Sequence, residues 1–192
     1  MSVIKVIVGS TRTNRFGEQP ASWVMELTKE YPEHTFELVD LKDINLPFLD
    51  EPNPPLAGDY THPHTKDWAQ IIEPADGFII VTPEYNHGVP AALKNALDFL
   101  AKEWFYKPVS FVSYGATGGG IRAVEHLRAS AIWLRMIPLS DELALTNYWG
   151  QLDENGKYQP TEGQIADAKR LIQNSIFWAT ELKPIREKKL AA

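Results

Sequence analysis

Residues 77–101 read GFIIVTPEYNHGVPAALKNALDFLA, and this stretch decides the fold. Its first part, Gly77–Thr82, is almost wholly apolar, as expected of a strand that is covered on both faces. Its last part, Pro90–Ala101, carries apolar residues at helical spacing, and Pro90 suits a first helical turn. The polar loop Pro83–Val89 separates the two. A buried strand, a polar loop and an amphipathic helix in this order predict a parallel α/β sheet.

The same alternation extends in both directions along the chain. The further predicted strands are Val3–Val8, Thr35–Leu41, Lys107–Tyr114 and Ile137–Thr146. The further predicted helices are Gly17–Tyr31, Thr65–Glu73, Gly120–Met136 and Glu162–Leu182. The stretch from Lys42 to about His64 is proline-rich and irregular. Five strands that alternate with helices predict a three-layer, doubly wound α/β fold with a five-stranded parallel sheet and helices on both faces.

A length of 192 residues predicts one domain, which we place at residues 1–182. Residues 183–192 form a basic tail, and we expect Lys183–Lys189 to fray in solvent. A helical dimer contact is the alternative for this tail.

Composition narrows the function classes. The net charge of −6 argues against a nucleic-acid partner, and zero cysteines exclude disulfides, thiolate metal sites and cysteine nucleophiles. No stretch approaches the ~20 apolar residues that span a bilayer, and Val3–Val8 at the N-terminus is too short for a signal-peptide core. We therefore expect a cytoplasmic protein with no membrane partner.

Ligands of doubly wound sheets bind beyond the carboxyl ends of the strands, so the loops at those ends are the candidate sites. Three such loops have an unusual composition: Gly9–Gln19, Pro83–Val89 and Gly115–Gly120. We call them the first, second and third loop.

The first loop favours an anion. Ser10 and Thr11 offer hydroxyl donors, Arg12 offers a charge-assisted pair, and the loop leads into a helix N-terminus with unpaired N–H groups. The loop matches neither G-x-G-x-x-G nor the P-loop pattern, so a phosphate monoester is favoured over a dinucleotide or a nucleoside triphosphate. The alternative is a polar capping loop with solvated arginines, with Glu18 as a first-turn acid.

The second loop favours a flat heteroaromatic ring. Pro83 lacks an N–H and is expected to end sheet pairing, which would leave the N–H groups of Glu84 to Asn86 free. Tyr85 adds an aromatic face. A tight turn with a helix cap is the alternative here, and a plain glycine turn is the alternative for the third loop. No metal site is predicted, since neither His87 nor the pair His62 and His64 has a neighbouring third ligand.

Two motifs together resemble a known family. GSTR at residues 9–12 and PEYNHGVPAALKNALD at residues 83–98 are similar to the NAD(P)H-dependent FMN reductases, a flavodoxin-like group that includes quinone, azo and chromate reductases. The resemblance covers roughly residues 3–125. It implies a flavodoxin-like fold, bound FMN, and NADPH or NADH as co-substrate. It also implies ping-pong transfer of hydride through flavin N5 to quinones, azo dyes, metal oxyanions or free FMN.

The resemblance also implies a set of binding residues. It places the FMN phosphate in the first loop and the isoalloxazine against the second and third loops. The implied cofactor-binding residues are Ser10, Arg12, Arg15, Phe16, Gly17, Glu18, Gln19, Pro83, Glu84, Tyr85, Asn86, Ser113, Gly115 and Gly118. Which side chains of residues 13–19 touch phosphate stays open. No catalytic side chain is required, because the flavin carries the chemistry.

Partners and assembly follow from the same resemblance. It implies a small-molecule electron acceptor and a homodimer or homotetramer. The aromatic run Trp104-Phe105-Tyr106 suits either a subunit interface or the core, and Leu46–Pro63 suits either a lid or a surface connection. The family leans to NADPH, but Arg12, Arg15 and Lys94 are too few to locate a 2′-phosphate. The alternative function is a flavodoxin-type electron carrier without NAD(P)H oxidase activity.

Overall fold

The computed structural model describes residues 1–190 and contains one five-stranded sheet whose strands are all parallel. Its strands are β1 (Val3–Val8), β2 (Thr35–Asp40), β3 (Gly77–Pro83), β4 (Pro108–Gly115) and β5 (Ile137–Thr146). Their order across the sheet is β2-β1-β3-β4-β5, which is the flavodoxin-like order. The predicted fold class is confirmed.

Helices cover both faces of the sheet. They are α1 (Glu18–Thr28), α2 (Leu41–Ile44), α3 (Pro63–Ile72), α4 (Ala91–Asp98), α5 (Ile121–Trp133) and α6 (Glu162–Leu190). Helices α1 and α6 pack on one face, and α3, α4 and α5 pack on the other. Alternate residues of a strand serve opposite faces: in β3, Ile79 joins the α1/α6 side and Ile80 joins the α3/α4/α5 side. Covering on both faces explains why β3 is apolar throughout.

The stretch predicted to be irregular, Lys42 to His64, contains short elements. Helix α2 follows β2 directly because Asp40 Oδ1 accepts a hydrogen bond from the N–H of Lys42 at 2.9 Å. A left-handed Asn45, with φ 50°, ends this helix. Further on, Pro55–Ala57 form a 3₁₀ turn.

The prediction that the C-terminal segment frays is wrong for its described part. Helix α6 continues through Pro184 to Leu190, and Arg186 is buried. The carboxylate of Asp76, which precedes β3, accepts hydrogen bonds from Arg186, from Lys183 Nζ at 3.0 Å and from the N–H of Val3 at 2.9 Å. Burial raises the pKa of Asp76, but these hydrogen bonds outweigh it and hold the pKa below its ordinary value. Residues 191–192 of the predicted tail lie outside the described residues.

The aromatic run after α4 belongs largely to the core. Trp104 is fully buried and its Nε1 donates to the carbonyl of Leu97 at 3.2 Å, and Phe105 is buried too. Of the two interpretations left open by the sequence, the structure therefore favours core packing for these two residues.

Candidate functional site

At the carboxyl edge of the sheet, hydrogen bonds join the first loop to the second and the second loop to the helix that follows the third. Ser10 Oγ of the first loop lies 2.6 Å from Tyr85 Oη of the second loop. Glu84 of the second loop reaches Arg122, which follows the third loop in α5. The structure thus brings together the three loops that the sequence singled out.

The first loop presents a row of unpaired donors. Of the backbone N–H groups from Ser10 to Phe16, only that of Arg12 has a protein acceptor within residues 1–190, namely Ser10 Oγ at 3.4 Å. A left-handed Asn14, with φ 54°, turns the chain ahead of α1. The Arg12 side chain is exposed. Free N–H groups beside a helix N-terminus and a solvent-facing guanidinium make a cradle for an anion.

Arg15 has a different role from Arg12, because its guanidinium is buried. It donates to the carbonyl of Ser10 and to the carboxylate of Asp40, and its Nε donates to Glu18 Oε1 at 3.0 Å. These bonds brace the first loop against the end of β2. Sequence analysis missed Asp40, and nothing local in the sequence connects it to Arg15, which lies 25 positions away.

Phe16 and Gly17 anchor the end of the first loop in an aromatic cluster. The Phe16 ring stacks on Tyr148 with a centroid distance of 3.8 Å and meets Tyr114 and Tyr158 edge-on. A Cβ at Gly17 would lie 2.6 Å from Tyr114 Oη, so only glycine fits there. Burial raises the pKa of Tyr114, so its phenol stays neutral.

The side chains of Glu18 and Gln19 already have protein partners. Glu18 pairs with Arg15. Gln19 Oε1 accepts from the N–H of Tyr158 at 2.6 Å, and its Nε2 donates to the carbonyl of Gly156 at 2.9 Å. These bonds join the start of α1 to the segment that follows β5.

The second loop is a two-residue hairpin, which corrects one expectation. Pro83 stays in β3 opposite Tyr114. The N–H of Glu84 donates to the carbonyl of Tyr114 at 3.3 Å, and the N–H of Tyr85 donates to the carbonyl of Gly88 at 3.0 Å. These two amides are therefore not free. Proline removes only its own donor, and the residues that follow it pair with β4 and across the hairpin.

The tip of this hairpin has unusual backbone conformations. Asn86 and His87 have φ of 49° and 66°, the left-handed pair of a type I′ turn. Their N–H groups have no protein acceptor within residues 1–190. Of the amides expected to be free, only that of Asn86 remains so.

Glu84 connects the second loop to α5. Its carboxylate accepts from the N–H and from Nη1 of Arg122, each at 3.1 Å, and its side chain is only 11% exposed. The pair caps the first turn of α5, where no helical acceptor is available.

The third loop approaches its own strand closely. Gly119 and Gly120 have φ of 58° and 90°, and a Cβ on Gly120 would lie 2.9 Å from Ser113 Cβ. The requirement for glycine is thus strongest at these two positions rather than at the predicted Gly115 and Gly118. A cleft of about 350 Å³ lies between the second and third loops. Its lining includes Asn86 and His87 of the second loop, and Arg122 of α5.

The residues present fit FMN. The first loop supplies unpaired N–H donors for a phosphate, and the glycine-lined cleft lies across the hydrogen-bonded second loop. Residues 1–190 contain no group of three side chains suited to a metal ion. No helix within the same residues combines the length and the apolar character needed to cross a bilayer.

Comparison with known proteins identifies the family of this chain. The sequence model of the NADPH-dependent FMN reductase family matches residues 2–150. An NAD(P)H-dependent FMN reductase of Schizosaccharomyces pombe is 46% identical over 146 residues, which are 74% of this chain and 72% of the relative. A 2-hydroxy-1,4-benzoquinone reductase of Burkholderia sp. is 31% identical, over 80% of this chain and 83% of the relative.

A solved structure supports the fold. FerB, a flavoenzyme NAD(P)H:(acceptor) oxidoreductase from Paracoccus denitrificans, superposes with a TM-score of 0.75 at 21% identity. The match covers 95% of this chain and 99% of that chain. At this identity the comparison concerns the fold alone.

Proposed function

The chain belongs to the NADPH-dependent FMN reductase family, and on that premise we propose that the three loops bind FMN for electron transfer from NAD(P)H to a small-molecule acceptor. It is an NAD(P)H-dependent FMN oxidoreductase. FMN supplies the redox chemistry when bound, accepting hydride from NAD(P)H and passing electrons to the acceptor. The protein side chains bind the flavin, orient it and shield it from water.

The first loop holds the phosphate in this proposal. Its free N–H groups and the Arg12 guanidinium contact the phosphate oxygens, whereas Ser10 is buried and its hydroxyl positions Tyr85. Arg15 braces the loop from beneath through Asp40 and does not itself reach the ligand. Phe16, Gly17, Glu18 and Gln19 act through the backbone geometry that their own contacts fix.

The second and third loops hold the ring in this proposal. The free N–H of Asn86 faces the polar edge of the ring, and Tyr85 lies beside it, kept in place by Ser10. Pro83 and Glu84 set the hairpin that carries these groups. The backbone of Gly115 and Gly118 forms the opposite wall of the cleft, whereas Ser113 is buried in β4 next to Gly120 and does not line it. Glu84 and Arg122 in the lining of this cleft are paired with each other, and the proposal needs no acid–base side chain.

The acceptors that we propose are quinones, azo dyes, metal oxyanions and free FMN. The quinone reductase activity named for the Burkholderia relative supports the first of these. We also propose a homodimer or homotetramer in the cytoplasm; the absence of cysteine is compatible with a reducing compartment. The electron-carrier alternative has no specific structural observation in its favour.

The observation that carries the proposal is the unpaired N–H row of the first loop beside Arg12. Titration of flavin-free protein with FMN and with riboflavin, which lacks the phosphate, tests it by fluorescence quenching. We expect saturable binding of one FMN per subunit and at least tenfold weaker binding of riboflavin. Equal affinity would contradict a phosphate site in the first loop.

Steady-state turnover separates an enzyme from a carrier. FMN-loaded protein should oxidise NADPH or NADH when a benzoquinone is supplied. Bound FMN with no turnover of either nucleotide, whatever the acceptor, would favour the electron carrier.

A further inference from the structure

A second cleft adjoins the first loop and has no role in the site described so far. It has a volume of about 270 Å³ and lies between Thr11 of the first loop, Lys42 and Asn45 around α2, and Ala92 of α4. Ala92 belongs to the first turn of α4, directly after the second loop. The cleft therefore borders the first loop and the helix that follows the second loop, beside the proposed FMN site. Its volume suits part of a ligand rather than a whole dinucleotide.

The charges that line this cleft differ from those of the two other clefts that border the loops or α1. No acidic side chain is found among the described residues that line it, although the protein has a net charge of −6. The cleft beside α1 contains Glu18 and Glu26, and the cleft between the second and third loops contains Glu84. Lys42 is the only charged side chain among the described lining residues, so it makes this cleft attractive to an anion.

The ion pairs around the loops leave few basic side chains available. Arg15, Lys94 and Arg122 are each engaged with a carboxylate. Within residues 1–190, Arg12 and Lys42 have no ion-pair partner. Because Arg12 is assigned to the FMN phosphate, Lys42 remains for a second phosphate group.

We propose that this cleft binds the 2′-phosphate of NADPH, with Lys42 as the charged contact and the Thr11 hydroxyl as a second donor. The inference rests on the proposed function and deepens it, because the 2′-phosphate is the group that distinguishes NADPH from NADH. A lysine ammonium is a compact charge suited to a phosphate monoester. The apolar part of the wall, including Leu46 and Ala92, seats the adjoining ribose or adenine.

Lys42→Gln tests the site without disturbing α2, since the helix cap uses the Lys42 backbone N–H and not its side chain. We expect the KM for NADPH of the FMN-loaded enzyme to rise about tenfold, as for loss of a partly exposed charge-assisted contact, and the KM for NADH to change far less. Lys42→Arg should retain most of the NADPH preference. The matched control is Lys66→Gln, an exposed lysine of α3 outside the cleft, which should change neither constant.

A binding measurement gives a readout that does not depend on turnover. Calorimetry on the FMN-loaded protein should show tighter binding of adenosine 2′,5′-bisphosphate than of AMP, and Lys42→Gln should abolish that difference. Equal binding of the two nucleotides by the wild type would overturn the inference. An equal rise in the KM for NADPH and for NADH in Lys42→Gln would also overturn it. If Lys42→Gln instead weakened FMN binding and left nucleotide selectivity unchanged, Lys42 would belong to the FMN phosphate site, and the inference would be overturned as well. Failure of the proposed function is distinct: the wild type would then turn over neither nucleotide.

Discussion

Ser10 Oγ and Tyr85 Oη lie 2.6 Å apart, although 75 positions separate the two residues in the chain. The bond joins the loop after β1 to the hairpin after β3. Because β1 and β3 are neighbours in the sheet, the bond fixes the distance between the proposed phosphate cradle and the proposed ring site. The two halves of the site are thus held in register before any ligand binds.

Removing this hydrogen bond should weaken FMN binding without unfolding the protein. We predict that Tyr85→Phe weakens FMN binding by about 0.5–1.5 kcal/mol, the usual net value of one neutral hydrogen bond. Quenching titrations give the affinity, and a thermal melt reports whether the fold is intact. Tyr31→Phe, three residues beyond the far end of α1, is the control and should leave FMN affinity unchanged. If Tyr85→Phe binds FMN as the wild type does, the bond has no role in orienting the site.

Arg12 is expected to act on the phosphate alone. We predict that Arg12→Ala weakens FMN binding by about 1.5–3 kcal/mol, because a charge-assisted contact is lost, and leaves riboflavin binding nearly unchanged. Its side chain is exposed and makes no ion pair within residues 1–190, so the melting temperature should stay close to that of the wild type. An equal loss of affinity for both flavins would mean that Arg12 shapes the loop rather than binds phosphate.

Asp40 should matter for stability because it is the carboxylate partner of a buried guanidinium. The Arg15 side chain is 2% exposed and that of Asp40 is 17% exposed. We predict that Asp40→Asn lowers the free energy of unfolding by about 2–4 kcal/mol, since a buried cation loses the less exposed of its two carboxylate partners, the other being Glu18. Asp43→Asn, an exposed neighbour in α2, is the matched control and should cost less than about 0.5 kcal/mol. Urea denaturation measures both, and equal costs would contradict the bracing role of Asp40.

A structural feature of this protein can be predicted from the sequence when the residues that determine it are close together in the chain. Strand β3 and helix α4 are encoded locally, through apolar runs and spacing, and the prediction from residues 77–101 is confirmed apart from the helix ends. The parallel sheet follows from the alternation of strands and helices, and the structure confirms it. The order of the strands agrees with the resemblance to flavodoxin-like reductases rather than with any local pattern.

Contacts between side chains that are distant in the sequence cannot be predicted from local sequence patterns. Arg15 and Phe16 resemble ligand residues in the sequence, yet one meets Asp40 and the other stacks on Tyr148, which lies more than a hundred positions away. Likewise, the basic segment after residue 182 looks like a solvated tail because its buried partner, Asp76, lies on another element. The sequence predicts free amides at the start of α1, where a helical turn leaves N–H groups without intrahelical acceptors, but most of the observed row lies ahead of that turn and depends on the path of the loop.

Gly120 tests the shape of the third loop. A Cβ there would lie 3.0 Å from both the N and the O of Tyr114, and its φ of 90° disfavours any other residue. We predict that Gly120→Ala destabilises the fold by about 2 kcal/mol or more and weakens FMN binding, because the loop must move away from β4. The control is Gly150→Ala, where a Cβ would meet nothing within 4 Å. Equal stability of the two variants would show that the close approach of the loop to β4 is not required.

Lys107, just before β4, should make stability depend on pH in the alkaline range. Its Nζ donates to the carbonyls of Ile72 and Glu73 at 3.1 and 2.8 Å, at the end of α3. Burial, helped by the neighbouring Arg186, lowers the pKa of Lys107 from 10.5 to about 7. Between these two pKa values the unfolded chain binds more protons than the folded protein, so the contribution of Lys107 to stability grows as pH rises through this window and is constant below it.

The free energy of unfolding is expected to rise by at most about 1.4 kcal/mol per pH unit, the value for one proton. We predict that wild-type protein gains about 1–2 kcal/mol of unfolding free energy between roughly pH 7.5 and 9, and that Lys107→Met gains much less over the same interval. Urea denaturation at both pH values measures the gain in unfolding free energy of the wild type and that of Lys107→Met. The difference between the two gains reports on Lys107, because the titration of the other groups is common to both proteins. Lys66→Met, at an exposed site in α3, should behave as the wild type does. Parallel pH profiles for wild type and Lys107→Met would show that Lys107 keeps its ordinary pKa in the folded protein, because water or a counter-charge then compensates its burial.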